Sequence, residues 1–169
     1  MEILAIDPGN KESGWCILAD YKPVLFGKTT NYTLLKVMRD YAGDYDDVVI
    51  EMVASYGMPV GETVFDTCRW IGRFEQTAAE ATVTFPKVRT HDVYFVKRKE
   101  YVTELCGSSR AKDANVIQYL IDRFAKDTPN RGKGTKKDKG WFYGFKADIW
   151  QAYAIGVYYI DRCKNGERN

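Results

Sequence analysis

Hydrophobic and polar positions follow two periods along the chain, and the shorter period predicts five strands. The first strand is predicted at residues 2–7, because its continuous apolar run at residues 3–6 is typical of a strand buried on both faces. Runs at residues 14–18 and 23–27, joined by a turn at 20–22, predict an antiparallel meander. A fourth strand ends at Glu51, and residues 83–89 predict the fifth.

Helical spacing predicts the elements between and after these strands. Thr30 and Asn31 cap a first helix that carries Leu34 to Tyr41, and a long second helix covers residues 62–80. A charged pattern predicts a third helix over residues 92–105, and apolar positions from Val116 to Phe124 predict a fourth. The final helix covers residues 147–163, so we expect one α/β domain spanning residues 1–169.

Composition narrows the class of protein without naming a partner. Lys and Arg number 25 against 23 Asp and Glu, and this balance neither requires nor excludes nucleic acid. The four cysteines form no C-x-x-C pair, which favours reduced thiols over a zinc or redox site. There is no basic-apolar leader and no apolar run of about 18 residues, so we expect a cytoplasmic protein with no membrane partner.

One segment differs in composition from the rest of the chain. Residues 129–140 contain five Lys or Arg residues, three glycines and no apolar residue. Such a segment has nothing to bury, so it predicts a flexible basic loop. Its lysines, Lys136 and Lys137 among them, either grip a DNA strand or keep the protein soluble.

Three carboxylates stand where strands end or a helix begins. Asp7 closes the first strand, Glu51 closes the fourth, and Asp148 opens the last helix. Taken singly, each is an ordinary turn, strand-end or helix-cap residue. Brought together at one sheet edge, they would repel each other unless a cation lay between them. Oxygen ligands suit Mg²⁺ or Mn²⁺, so the trio predicts a divalent-metal site for phosphoryl chemistry.

Local motifs run in the order found in one family. Residues 3–9 (ILAIDPG) and 13–15 (SGW) resemble the opening of RuvC-type Holliday junction resolvases. Residues 49–51 (VIE) resemble the second acidic strand of that family, and residues 146–156 (KADIWQAYAIG) resemble its terminal catalytic helix. Residues 107–114 (GSSRAKDA) are similar to its glycine-serine turn ahead of a lysine. The resemblance therefore covers nearly the full chain.

Two further motifs resemble the phage-borne branch of the family. They are residues 56–61 (YGMPVG) and 70–74 (WIGRF). The resemblance as a whole implies a ribonuclease H-like fold with a five-stranded mixed sheet, whose first three strands are antiparallel. It also implies a homodimer acting on four-way DNA junctions, in bacterial host cytoplasm if a phage encodes it.

The resemblance implies two-metal phosphodiester hydrolysis that leaves a 5′-phosphate, with two Mg²⁺ or Mn²⁺ ions per active site. Asp7 is expected to bridge the ions, and Glu51 and Asp148 to complete their shells. The family has a second aspartate on the terminal helix, whereas this chain has Gln151. Gln151 then completes a metal shell or orients water. Glu62 is a candidate to replace the missing acid. Alternatively, Glu62 is an ordinary acid in the first turn of a helix, where the helix dipole favours negative charge.

Other residues are candidates for contacts with DNA. The resemblance gives Lys112 a phosphate contact near the scissile bond, where a cation stabilises developing charge. Arg110, Lys97 and Arg98 belong to a basic strip that either positions the DNA backbone or is simply solvated. Tyr56 either stacks on an unpaired base at the junction centre or packs under its own loop.

Three alternatives stay open from the sequence. A nuclease of the same fold can act on flaps, forks or RNA–DNA hybrids. A junction-binding protein without cleavage is favoured by Gln151. An actin-like ATPase also has Asp-x-Gly after its first strand, but 169 residues are too few for its two lobes.

Overall fold

The computed structural model describes residues 1–55, 57, 59–84 and 92–167, with the backbone alone for residues 81–84. The strands are β1 (Glu2–Asp7), β2 (Glu12–Ala19), β3 (Lys22–Thr30), β4 (Asp47–Met52) and β5 (Asp92–Lys97). The helices are α1 (Asn31–Asp40), α2 (Glu62–Thr84), α3 (Arg98–Cys106), α4 (Asp113–Phe124) and α5 (Ile149–Lys164). A short 3₁₀ helix covers Pro129–Gly132.

The strands form one mixed sheet in the order β3-β2-β1-β4-β5. β1 pairs antiparallel with β2, and β2 pairs antiparallel with β3. β4 lies parallel to both β1 and β5. The predicted five-stranded sheet, with its first three strands antiparallel, is confirmed.

Alternate residues of the central strands feed two separate cores. Ile3 and Ala5 pack with α3, α4 and α5 on one face, whereas Leu4 and Ile6 pack with α1 and α2 on the other. This alternation follows from the period of two in a strand. Because Asp7 continues the series of Ile3 and Ala5, its side chain belongs to the face that α5 covers.

Helix α5 is the main support of that face. Its residues from Ile149 to Ile160 are all buried. Gly156 allows the helix to approach the sheet closely, since a Cβ at this position would lie 2.7 Å from the side chain of Leu18. The middle of α5 therefore lies close against β1 and β2.

The position of the fifth strand predicted from the sequence is wrong. Residues 83 and 84 belong to α2, residues 85–89 lie outside the described part, and the fifth strand is Asp92–Lys97. β5 is an edge strand in which only Val96 is buried. Its alternation of hydrophobic and polar residues is therefore weak, and the spacing of its charged residues also fits a helix. Residues 92–97 form a strand because they pair with β4, and α3 begins at Arg98.

The basic segment 129–140 contains local structure. It begins with the 3₁₀ helix, and Gly134 and Lys139 form an isolated antiparallel bridge. Gly132 is buried against Ala125 and Phe142, so this end of the segment contacts the core. The flexibility predicted for this loop stays a prediction. Among the described helices, none has the length and apolar character needed to cross a membrane.

Candidate active site

The sheet places Asp7 and Glu51 side by side. Ile6 pairs with Ile50 on adjacent parallel strands, so Asp7 and Glu51 follow at matching positions. Both strands end at the same edge of the sheet, where open α/β sheets place their ligands. Both side chains are directed to the face covered by α5, because they continue the alternation of Ala5 and Val49.

Gly14 brings the third acid to the same place. It pairs with Asp7 across β1 and β2, and a Cβ on Gly14 would lie 2.5 Å from the backbone oxygen of Asp148 and 2.8 Å from its Cβ. Only a residue without a side chain allows α5 to start here. The turn before β2 is fixed by Ser13, whose hydroxyl donates to Asn31 Oδ1 at 2.7 Å.

Asp7 is the electrostatic centre of the trio. Burial raises the pKa of its carboxyl well above the ordinary value, and Glu51 and then Asp148 raise it further. Arg98 acts in the opposite direction. Negative charge is thus concentrated where water cannot fully stabilise it, and a divalent cation would relieve the repulsion.

Glu51 belongs to a hydrogen-bonded network. The buried Tyr101 hydroxyl lies 3.2 Å from Glu51 Oε2 and 3.1 Å from Gln151 Oε1, and it can donate to either. Arg98 Nη1 donates to the Tyr101 oxygen at 2.9 Å and to Gln151 Oε1 at 3.3 Å. Burial raises the pKa of Glu51, while Arg98 and Tyr101 lower it. Gln151 is therefore at the site, with its oxygen engaged by Arg98 and Tyr101.

Arg98 also links the site to α4. Its Nη2 forms an ion pair with Asp113, the first residue of that helix. Asp113 is close enough to raise the pKa of both Asp7 and Glu51. Arg98 thus places a positive charge among a group of acids. Its contact with the DNA backbone stays a prediction.

Asp148 has a different partner. Its Oδ2 lies 2.7 Å from the ammonium of Lys28 on β3, and both side chains are partly exposed. Asp148 is the residue immediately before α5, and Ala147 before it has a φ of 43°. A non-glycine residue in this left-handed region carries strain, which here accompanies the sharp entry into α5.

The donor set suits a divalent ion in its chemistry. Asp7, Glu51 and Asp148 offer only oxygen atoms, the ligands that Mg²⁺ and Mn²⁺ prefer. Within the described residues, however, no group of three or more His, Cys, Asp or Glu side chains is placed to hold one ion. The charged group that contacts Asp148 is the ammonium of Lys28. The residues fit a divalent metal ion in charge and donor type, and Lys28 pairs with one of the two carboxylate oxygens of Asp148.

Comparisons with known proteins identify the fold. No protein-family model matches the sequence, and neither does any curated protein. Among solved structures, the Thermus thermophilus RuvC structure is similar, with 15% sequence identity and a TM-score of 0.70 over 99% of this chain and 98% of that chain. This chain has the RuvC fold. T. thermophilus RuvC in complex with a Holliday junction substrate is also similar, with 17% identity and a TM-score of 0.69 over 99% and 97% of the two chains.

The likeness to RuvC confirms the α/β, ribonuclease H-like fold that the motifs predicted. At this low identity it describes the fold, so the chemistry has to be argued from the residues of this chain. The phage-borne branch, implied by residues 56–61 and 70–74, stays a prediction.

The residues predicted to contact DNA belong to several different elements of the fold. Lys112 is exposed at the start of α4, beside Asp113, and Arg110 is exposed in the preceding turn. Lys97 ends β5 and lines an open groove with Glu100, Tyr158 and Arg162. The positions of Lys136 and Lys137 are exposed, in the segment between the bridged residues Gly134 and Lys139.

Two predicted residues need separate mention. Tyr56 lies outside the described residues. Glu62 begins α2 and is exposed, and its help to a metal ion stays a prediction.

Sequence reasoning missed three functional candidates: Lys28, Tyr101 and Asp113. Each contacts the site through a residue that is distant in sequence, so no local motif marks it. A signal was available for Tyr101, because it lies one helical turn after Arg98 and shares its face. The incorrect helix start at residue 92 concealed the fact that Arg98 opens α3.

Proposed function

We propose that this chain is a divalent-metal-dependent endonuclease that cuts four-way DNA junctions by phosphodiester hydrolysis. The observation that carries the proposal is the placement of Asp7, Glu51 and Asp148 around one sheet edge. The fold similarity to RuvC supports the substrate, because one similar structure is RuvC in complex with a Holliday junction substrate.

In this mechanism Asp7, Glu51 and Asp148 would hold two Mg²⁺ or Mn²⁺ ions, and Asp7 is the acid that lies between the other two. When bound, the ions supply water activation and charge neutralisation at the leaving 3′ oxygen, which leaves a 5′-phosphate. Tyr101 and Arg98 keep Glu51 and Gln151 in fixed orientations. Gln151 directs its NH₂ group or an ordered water toward the reacting phosphate, since its oxygen already accepts hydrogen bonds.

Contacts with DNA come from exposed cations around this edge. Lys112 lies next to Asp113, so it can reach a phosphate near the scissile bond. Arg110 and the segment with Lys136 and Lys137 contact the backbone farther out. Tyr56 stacks on an unpaired base at the junction centre.

Paired cuts in a two-fold junction need two sites, so we propose a homodimer. α2 offers a surface for it, because Phe65 is 58% exposed and lies on the same helix as Trp70, whose ring packs edge-to-face with Tyr32. Exposed aromatic groups of this kind are typical of protein interfaces. Sedimentation of the protein alone tests the dimer.

A second candidate function is junction binding without cleavage. It is favoured by the neutral Gln151 and by the observation that the described residues form no ready group of metal ligands. This candidate predicts tight junction binding and no product in Mg²⁺ or Mn²⁺.

One experiment separates these functions. The protein is incubated with labelled four-way junction, flap, fork, duplex and RNA–DNA hybrid, with Mg²⁺ or with EDTA. Paired, symmetric nicks in the four-way junction, dependent on the metal ion, are expected. Preferential cutting of a flap, fork or hybrid would assign a different substrate to the same chemistry, and binding without product would favour the second candidate.

A further inference from the structure

Lys28 reaches the candidate active site across the sheet. It pairs with Gly14, which in turn pairs with Asp7, so Lys28, Gly14 and Asp7 form a row over β3, β2 and β1. Cross-strand neighbours in such a row direct their side chains to one face. Gly14 has no side chain, and the stem of Lys28 can therefore cross this position to reach Asp148 at 2.7 Å.

The two protein cations at the site are held differently. Arg98 binds Tyr101, Gln151 and Asp113, which come from three helices. Among the described residues, Lys28 forms an ion pair with Asp148, and its side chain is 32% exposed. The lysine ammonium is carried on a flexible four-carbon stem and is strongly hydrated, so its return to water costs little free energy. Arg98 is therefore a fixed part of the site, whereas Lys28 can leave.

A lysine ammonium and a divalent ion compete for the same carboxylate oxygen. While Lys28 lies on Asp148 Oδ2, this oxygen is engaged and a positive charge stands beside the site. A second cation that enters is repelled by that charge. Once Lys28 moves away, this oxygen of Asp148 is available to an ion beside Asp7, the carboxyl group whose pKa Asp148 raises.

We propose that Lys28 is a positioning residue that neutralises Asp148 in the metal-free protein and is displaced when a divalent ion binds. This inference rests on the proposed metal site. It explains how three acids can be kept close together before any ion arrives. It also makes metal binding weaker than the carboxylates alone would allow.

The test measures metal affinity by calorimetry on protein stripped of metal, with Mn²⁺ or Mg²⁺ as the probe. Lys28→Met is expected to bind the ion about fivefold more tightly than the natural protein, which corresponds to the loss of a partly exposed ion pair. Lys28→Arg keeps the charge and is expected to keep the weaker affinity. Lys22→Met, on the same strand but at its other end, is the matched control and should change nothing.

The direction of the effect separates this role from simple damage to the fold. A variant that folds poorly would bind the ion less tightly, not more tightly. In an Asp148→Asn background, Lys28→Met should bring a smaller gain, because the competition for the shared carboxylate is gone and only the repulsion between ammonium and ion is removed. Lys28→Gln provides a second variant should Lys28→Met aggregate.

Unchanged or weaker affinity in Lys28→Met and Lys28→Gln, with binding intact in the natural protein, would overturn the role of Lys28 and leave the proposed nuclease standing. Absence of binding in the natural protein and in both variants would contradict the metal site itself. The two failures are therefore distinguishable.

Discussion

The two sides of Asp7 are built differently. The Glu51 side consists of Glu51, Arg98, Tyr101 and Gln151, and the Asp148 side consists of Asp148 and Lys28. On the Glu51 side, Tyr101 is fully buried and Gln151 is 7% exposed, and both take part in several hydrogen bonds. On the Asp148 side, one partly exposed ion pair joins the end of α5 to β3.

The difference shows how a concentrated group of acids can be stable before it binds metal. A buried network holds Glu51 and Gln151 rigidly, which keeps ligand positions fixed at the cost of burying polar groups. An exposed ion pair contributes little to stability and is easily exchanged. One side is therefore preorganised, and the other is able to admit an ion.

The largest expected effect comes from Asp7, which both sides share. Asp7→Asn should lower junction cleavage about a hundredfold or more, because it removes the acid that is proposed to bind both ions. Glu51→Gln and Asp148→Asn should likewise lower cleavage by a large factor, and in all three variants junction affinity should stay within several-fold. Product formation in Mg²⁺ and gel-shift binding in EDTA measure the two quantities. Unaltered cleavage by any of the three variants would remove that residue from the site.

A second change disturbs the Asp148 side alone. In Gly14→Ala the new Cβ would lie within 2.5 Å of the backbone oxygen of Asp148, so the start of α5 must shift. We expect cleavage to fall about tenfold to a hundredfold, as displacements of about 1 Å at a reacting group do. Gly43→Ala is the control, because a Cβ there meets no atom within 4 Å. Equal activity of the two variants would contradict the role given to Gly14.

A third change acts on the Glu51 side. Tyr101→Phe removes the hydroxyl between Glu51 and Gln151 and should lower the free energy of unfolding by about 1 kcal/mol, a typical value for a lost buried hydrogen bond. Cleavage should fall severalfold, since Glu51 keeps its strand position but loses its donor. Denaturant unfolding and initial cleavage rates measure the two effects.

Tyr153→Phe is the matched control for Tyr101→Phe. The Tyr153 hydroxyl donates to the backbone oxygen of Tyr21 at 2.7 Å and accepts from Trp141, so its loss also destabilises the fold. Cleavage per folded molecule should stay unchanged in this variant. A similar loss of cleavage in both variants would assign Tyr101 a purely structural role.

The same contrast separates what the sequence could predict from what it could not. β1 and β4 are buried on both faces, so continuous apolar runs located them and the acids at their ends. Edge strand β5 has one buried residue, and its pairing partner decides its structure. Hydrophobic periodicity reports burial along an element and is silent about which element lies beside it.

The partners of the acids were beyond prediction for a related reason. Tyr101 and Glu51 are 50 residues apart, and their contact depends on the packing of α3 against the sheet. The motif at residues 13–15 is visible in the sequence, but the reason for its Gly14, the close approach of Asp148, appears only in three dimensions. Local chemistry thus predicted the acids, and tertiary packing supplied their neighbours.

The smallest expected effect concerns the stability of the metal-free protein. The pKa of Asp7 is raised by burial and by the two neighbouring acids. An acid with a higher pKa in the folded than in the unfolded state destabilises the fold, and the penalty grows as pH rises from the unfolded value of about 4 through the folded one. Asp7→Asn in EDTA should therefore melt a few degrees higher than the natural protein at pH 8, with a smaller gap at pH 5.

Asp161 is a control of opposite sign. Burial alone would raise the pKa of its carboxyl, but hydrogen bonds from Arg123 and Tyr21 outweigh burial and lower it. Its contribution to stability is present above the unfolded pKa and is lost as pH falls through the folded one. Asp161→Asn should consequently melt lower than the natural protein at pH 8. A lower melting temperature for Asp7→Asn as well would mean that Lys28 and Arg98 already compensate the charge of Asp7, and the repulsion that a divalent ion is proposed to relieve would be absent.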